Sequence, residues 1–167
     1  IVVLAVVSIL TSLALPDLSH YLEHQRADVA STMLRRAITT TRSTAISSRE
    51  IVSLCPYAEG RCGERWEDGL MIFIDKNNNG IVDNSETLFE KLSWQQRDVT
   101  IQWRASGGKN YLRYSPTGIA RQFGRFHICH NSGDMTLARA LVINRQGRVR
   151  PYRDRNGDSI VEDVSGD

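Results

Sequence analysis

From Asp17 to Ile46 the apolar residues Leu18, Tyr21, Leu22, Val29, Met33, Leu34, Ala37, Ile38, Ala45 and Ile46 recur at intervals near three, four and seven. That spacing is the period of an amphipathic helix. Glu23, Gln25, Arg26, Arg35, Arg36 and Arg42 fill the gaps, and the pattern fails near Ser47 and Ser48. Upstream the texture differs, because residues 1–15, IVVLAVVSILTSLAL, carry no ionisable side chain. Together the two stretches predict one long helix over residues 1–48. It is expected to bend or loosen at Pro16, where a missing N–H and a ring clash disturb the backbone ladder. At about 1.5 Å per residue the apolar stretch covers about 22 Å, short of the roughly 30 Å hydrocarbon core of a bilayer. The chain opens on Ile1 with no Met and no basic run, so an upstream piece is expected. A cleaved secretory leader is the rival reading. Against it, no small-x-small site leads into a polar start, and the apolar run passes through Pro16 into the helical pattern.

After Arg49 the period shortens. EIVSLC, LMIFID, VTIQWR, YLRYS, RFHIC and RALVINR are short β-type runs, with Gly69, Gly80, Gly107, Gly108, Gly118, Gly124 and Gly147 at or beside the breaks. Strands at regular intervals with turn residues between them predict a mainly antiparallel β domain over residues 49–155. Packed on the C-terminal half of the helix, it makes an α+β fold. Residues 156–167 hold Asp158, Glu162, Asp163 and Asp167 and no basic residue, so a loosely docked acidic tail is expected.

Composition narrows the classes without naming one. A chain of 167 residues, 41% hydrophobic and 24% charged, suits a single folded domain and excludes collagen-like and wholly disordered chains. Net charge is only +2 at a pI of about 8.6, so any basic surface must arise from uneven distribution. Three cysteines without paired CxxC spacing do not make a zinc site. One pair and one leftover thiol is the simplest count. His20 and His24 stand at i, i+4 but without an HExxH sequence, and His127 and His130, flanking Cys129, read as surface or strand-edge residues. No GxSxG, GxxxxGK[ST] or GxGxxG is present. Neither an enzyme nor a cofactor is expected.

The segments VVLAVVSILTSLALPDLSHYLEHQR, VSLCPYAEGRC, WEDGLMIFIDKNNNGIVDNSE and RALVINRQGRVR resemble the type IV pilins and pseudopilins, and within them the FimT/GspH group of minor subunits. The resemblance covers nearly the whole chain. It implies a leader removed by a prepilin peptidase and a helix that serves first as an inner-membrane anchor and then as a filament stem. Both roles suit an apolar helix, whose backbone polar groups are satisfied internally in lipid and among other helices alike. It also implies other pilins as partners, a β domain on the periplasmic side, and assembly into a pilus or a type II secretion pseudopilus. In that oxidising setting Cys55 and Cys62, six residues apart with Pro56 and Gly60 between, are expected to pair, leaving Cys129 free.

Two stretches carry possible chemistry. Asp75, Asn77, Asn79, Gly80, Asp83 and Glu86 satisfy the calcium-loop pattern D-x-[DN]-x-[DN]-G-x5-E, although LMIFID before it reads as a strand and not as an entering helix. The alternative, taken here as the expectation, is a polar connection whose Asn and Asp side chains satisfy turn amides. The second stretch sets Arg139, Arg145, Arg148, Arg150, Arg153 and Arg155 against Asp154 alone. Arg148 and Arg150 lie two apart and leave a strand on one face, with Gly147 allowing the turn before them and Pro151 interrupting the ladder behind. Guanidinium forks match phosphate oxygens bidentately, so a sequence-independent grip on duplex DNA is physically reasonable. GRVR is similar to the GRxR motif by which FimT-type minor pilins bind DNA for uptake. That resemblance marks Arg145, Gly147, Arg148, Arg150, Arg153 and Arg155 as the candidate DNA-binding set. The alternatives are a solvated strand neutralised by the acidic tail, and a structural minor pilin or GspH-like pseudopilin that binds no DNA.

Overall fold

A computed structural model describes residues 2–83, 85–93 and 98–152. One helix, α1 (Val2–Ser48), is followed by β1 (Val52–Ala58), β2 (Arg61–Cys62), β3 (Leu70–Ile74), β4 (Thr87–Leu92), β5 (Val99–Ala105), β6 (Leu112–Tyr114), β7 (Gly124–His130), β8 (Arg139–Ile143) and β9 (Val149–Pro151). Helical backbone is unbroken through Pro16. The loosening expected there does not interrupt the helix, since proline costs one bond to the carbonyl of Ser12 while its fixed φ remains helical. All six β-type runs form strands; β2 and β4 were not anticipated.

The strands divide into two antiparallel sheets. In the first, β1 is central, flanked by β3 on one side and by β6 and β2 at successive positions on the other, with β4 outside β3. In the second the order is β5-β7-β8-β9. The β1–β2 turn has positive φ at both Glu59 and Gly60, the backbone a two-residue hairpin needs. Beside that turn, Cys55 and Cys62 form the expected disulfide with Cα atoms 5.5 Å apart, and Cys129 is a free thiol.

The core lies between α1 and the two sheets. On the helix Ala27, Ala30, Leu34, Ala37, Ile38, Thr41 and Ala45 are buried. Alanines at the contact let the helix axis come close, and Thr41 satisfies its hydroxyl by donating to the Ala37 carbonyl at 2.7 Å. Val29 and Ile46, expected on this face, are exposed. The buried face instead includes the small residues Ala27 and Ala30 beside Leu34 and Ile38. Opposite the helix, Phe126 of β7 stacks on Trp103 at 4.1 Å and meets the edge of Trp66 at 4.8 Å. Each such ring pair adds about 0.5–1.5 kcal/mol beyond the area it buries. Two ion pairs, Arg26 with Asp98 and Arg139 with Asp28, tie the exposed side of α1 to the second sheet.

Candidate nucleic-acid interface

The predicted basic strand exists, and its local geometry follows from a turn. Between β8 and β9, Gly147 N–H donates to the Asn144 carbonyl at 2.9 Å, while the Asn144 side-chain oxygen accepts from Arg148 N–H at 2.9 Å. Gly147 has φ +77, and a Cβ there would lie 2.2 Å from the Gly118 carbonyl oxygen. Its own carbonyl accepts from the buried Tyr114 hydroxyl at 3.2 Å, and that burial pushes the phenol well above its ordinary range. Gly147 is thus a packing residue whose polar groups are used within the fold. Val149 packs against the core, so Arg148 and Arg150 on either side of it are exposed together, as their spacing predicts.

The ladder does not stop at Pro151. Pro151 pairs with Leu141, and Tyr152 N–H donates to the Ala140 carbonyl at 2.8 Å. Because Tyr152 N–H points toward β8, the nitrogen of Pro151 points outward, where an edge strand needs no donor.

Alongside β9 runs a groove of about 260 Å³ lined by Arg35, Ile38, Thr39 and Arg42 of α1 and by Gly147, Arg148, Val149 and Arg150. Among the described residues no carboxylate lines it. Arg42 is committed to the fold: Nε donates to the Gly118 carbonyl at 3.0 Å and Nη2 to the Gln146 carbonyl at 3.2 Å, which ties the helix to both turns beneath β9. Arg35, Arg148 and Arg150 are exposed. None of the three carries a described ion pair, and all three line the same opening. Arg35 and Arg42 were read only as polar gap-fillers; the signal that they share a face was their separation of seven.

The rest of the arginine run disperses. Arg139 binds Asp28 at 2.8 Å and also donates to the Thr136 and Ala138 carbonyls, so its charge is compensated. Arg145 lies over the Phe123 ring at 5.1 Å and does not line the groove. Arg153, Arg155 and the acidic tail fall outside the described residues.

The Asp75–Glu86 loop is held by its own side chains. Asp75 is fully buried and accepts from Ser53 Oγ at 2.7 Å, Gly80 N–H at 3.0 Å and Asn79 N–H at 3.0 Å, with Arg113 3.8 Å away. Asn77 and Asn79 side-chain oxygens accept from amides two residues on, and Asp83 accepts from Ser85. Asn77 Nδ2 donates to Asp83, and Glu86 Oε2 accepts from Asp83 N–H. A cation there would have to compete with these amides and with Arg113. Among the described residues no cluster of His, Cys, Asp and Glu is arranged to hold a metal ion.

The histidines correct a further expectation. His127 lies inside β7, paired on both sides to Gln102 and Ala140, while His130 ends that strand, paired to Val99 of β5, and is 8% exposed. His127 is therefore not at a strand edge, and His130 is buried and not a surface residue. Burial pushes the Cys129 thiol between them above its ordinary value, away from the reactive thiolate.

A family model described as type II transport protein GspH matches residues 30–147. No protein of curated function matches the chain. Among solved structures, the type IV minor pilin FimU of Pseudomonas aeruginosa aligns with a TM-score of 0.60 at 20% identity, over 80% of this chain and 92% of FimU. The minor pseudopilin EpsH of the type 2 secretion system of Vibrio cholerae aligns with a TM-score of 0.55 at 9% identity, over 76% of this chain and 96% of EpsH. At these identities both likenesses concern the fold: a helix packed on antiparallel sheets.

Proposed function

This chain belongs to the GspH family of type II transport proteins, and from that membership we propose that it is a minor subunit of a type IV pilus that grips duplex DNA in the groove between α1 and β9. The observation that carries the reading is that Arg35, Arg148 and Arg150 line one opening in which, among the described residues, no carboxylate stands. Exposed guanidinium groups of this kind neutralise phosphates whatever the base sequence, and binding then gains from released counterions. The likeness of GRVR to the motif of DNA-uptake pilins supports the same assignment and a role in natural transformation.

Residues 2–15 of the apolar stretch lie on the helical backbone of α1, and the composition of the stretch supports its use as inner-membrane anchor and then as filament stem among other pilins. Among the described residues no helix is long and apolar enough to cross a membrane. A secretion pseudopilin without DNA binding is the second reading, favoured by the description of the matching family.

The test is fluorescence anisotropy of a labelled duplex with the full chain in detergent micelles across a salt series. Affinity is expected to fall steeply with salt, without sequence preference. Arg148→Gln combined with Arg150→Gln should lower the log–log salt slope by about two units, at roughly 0.9 per phosphate neutralised. Salt-insensitive binding, no binding, or an unchanged slope in this variant rejects the DNA reading in favour of the pseudopilin.

A further inference from the structure

Burial alternates before β7: Ala120 and Gln122 are buried, while Ile119, Arg121 and Phe123 are exposed. Hydrogen bonds fix that order. Ala120 N–H donates to the Arg145 carbonyl at 3.2 Å and Arg121 N–H to the Arg113 carbonyl at 2.8 Å, while the Gln122 side-chain oxygen accepts from Arg113 N–H at 3.0 Å. Phe123 is held by Ser106, whose N–H donates to the Phe123 carbonyl at 2.8 Å and whose hydroxyl oxygen accepts from Phe123 N–H at 3.2 Å. A fixed backbone thus presents an aromatic side chain that is 36% exposed.

Arg145 lies over that ring, its guanidinium 5.1 Å from the centroid. It belongs to the turn between β8 and β9 that also delivers Arg148 to the groove. Arg121 and Arg145 are both exposed, and segments 104–107, 115–123 and 144–148, which meet here, contain no Asp or Glu. An apolar partner would strip water from these two cations with no carboxylate of those segments to receive them. A matching partner brings its own anions and a flat apolar face. A nucleic acid strand has both, because every base has a π-face that stacks on aromatic rings and guanidinium planes. In a duplex those faces are already stacked on one another, so the ligand is an unpaired strand. Arg145 is placed on the ring before any ligand arrives, which lowers the entropy cost of binding.

We infer that Phe123 and Arg145 form a stacking platform for an unpaired base of single-stranded DNA, with Arg121 and Arg145 on the flanking phosphates. The platform rests on the DNA reading given above and extends it: duplex lies in the β9 groove, and a single-stranded end reaches Phe123 around the β8–β9 turn.

The experiment is fluorescence anisotropy across a salt series on the full chain in detergent micelles, comparing a blunt duplex with the same duplex carrying a single-stranded oligo(dT) tail. The parent should bind the tailed duplex more tightly, by about 5- to 140-fold, from about 1–3 kcal/mol per stacked base at about 1.4 kcal/mol per tenfold. Phe123→Leu, which keeps an apolar side chain and removes the ring, should abolish that preference without changing the salt slope or Tm. Phe123→Tyr should retain it. Arg121→Gln combined with Arg145→Gln should lower the slope on the tailed duplex by about 1.4 units, at roughly 0.7 per single-strand phosphate, and leave the blunt slope unchanged. A parent with salt-sensitive binding but no preference for the tail, or a Phe123→Leu variant that keeps the preference, overturns the platform and leaves the groove reading standing. Equal loss on both duplexes in Phe123→Leu would make the ring a support for the turn and overturn stacking as well. Unchanged DNA binding in Phe123→Leu with fewer subunits in sheared filament fractions assigns the surface to a neighbouring pilin instead. No salt-sensitive binding of either duplex by the parent removes both readings.

Discussion

A methyl group at position 147 has no space, since it would meet the Gly118 carbonyl at 2.2 Å and the Tyr114 ring at 2.7 Å on a backbone with φ +77. Gly147→Ala is therefore expected to destabilise by more than about 1 kcal/mol. For a chain of this size that lowers Tm by at least about 2–4 °C in a thermal melt. DNA affinity should fall with it, because the displaced turn carries Arg148. Glu86 offers a test of a different kind. Desolvation by burial raises its carboxyl above the ordinary 4.5, against the lowering effect of Asp83 N–H. The folded chain thus holds this proton more tightly than the unfolded one. The stabilisation it gives is complete at pH below 4.5 and is lost as pH rises through the raised value. Glu86→Gln should flatten Tm against pH in that window without lowering Tm at neutral pH. In keeping with a loop tied by its own amides, excess calcium or chelator should leave the parent melting curve unchanged. A saturable calcium shift abolished by Glu86→Gln would contradict this.

Among elements, the β1–β2 hairpin is the smallest covalently closed unit. Closing so short a loop stabilises by about 2–3 kcal/mol in the chain-entropy model. Replacing Cys55 and Cys62 by alanine should lower Tm by roughly 4–12 °C, and adding reductant to the parent chain should lower it similarly. Both cysteines and every strong β-type run were legible in sequence. β4 was not, because TLFEKL is an edge strand with no clean alternation of burial: its first three residues are all exposed, and a register shift sets Phe89 out of the ladder. The helix face was legible at Leu34, Ala37, Ile38 and Ala45, which are fully buried, and misread at Val29 and Ile46, which are exposed. Ala27 and Ala30 weigh little in hydrophobicity, yet they are where the helix approaches the sheets. The groove was half legible. GRVR announced one wall, whereas Arg35 stands more than a hundred residues away on α1 and only tertiary packing brings it alongside β9.

At the scale of the whole molecule, α1 divides its labour along its length. From Ala30 onward Leu34, Ala37, Ile38 and Ala45 belong to one continuous core with both sheets, and Leu34 and Ile38 are fully enclosed in it. Arg26 and Asp28 add their ion pairs at the start of that contact. The apolar stretch 1–15 lies well before it in the chain. If the stretch serves membrane and filament and not the fold, a chain beginning at His24 keeps every described core contact of the helix. Such a chain should be soluble and melt cooperatively within a few degrees of the full-length protein. Its groove is complete, since Arg35, Arg42 and β9 are all present, so its DNA salt slope should match the parent. What it should lose is entry into filaments, measured by expressing it in cells and assaying sheared filament fractions with an antibody to the β domain. An unfolded truncated chain would mean that residues before His24 contribute to the core. One that still assembles would mean that the stem lies elsewhere.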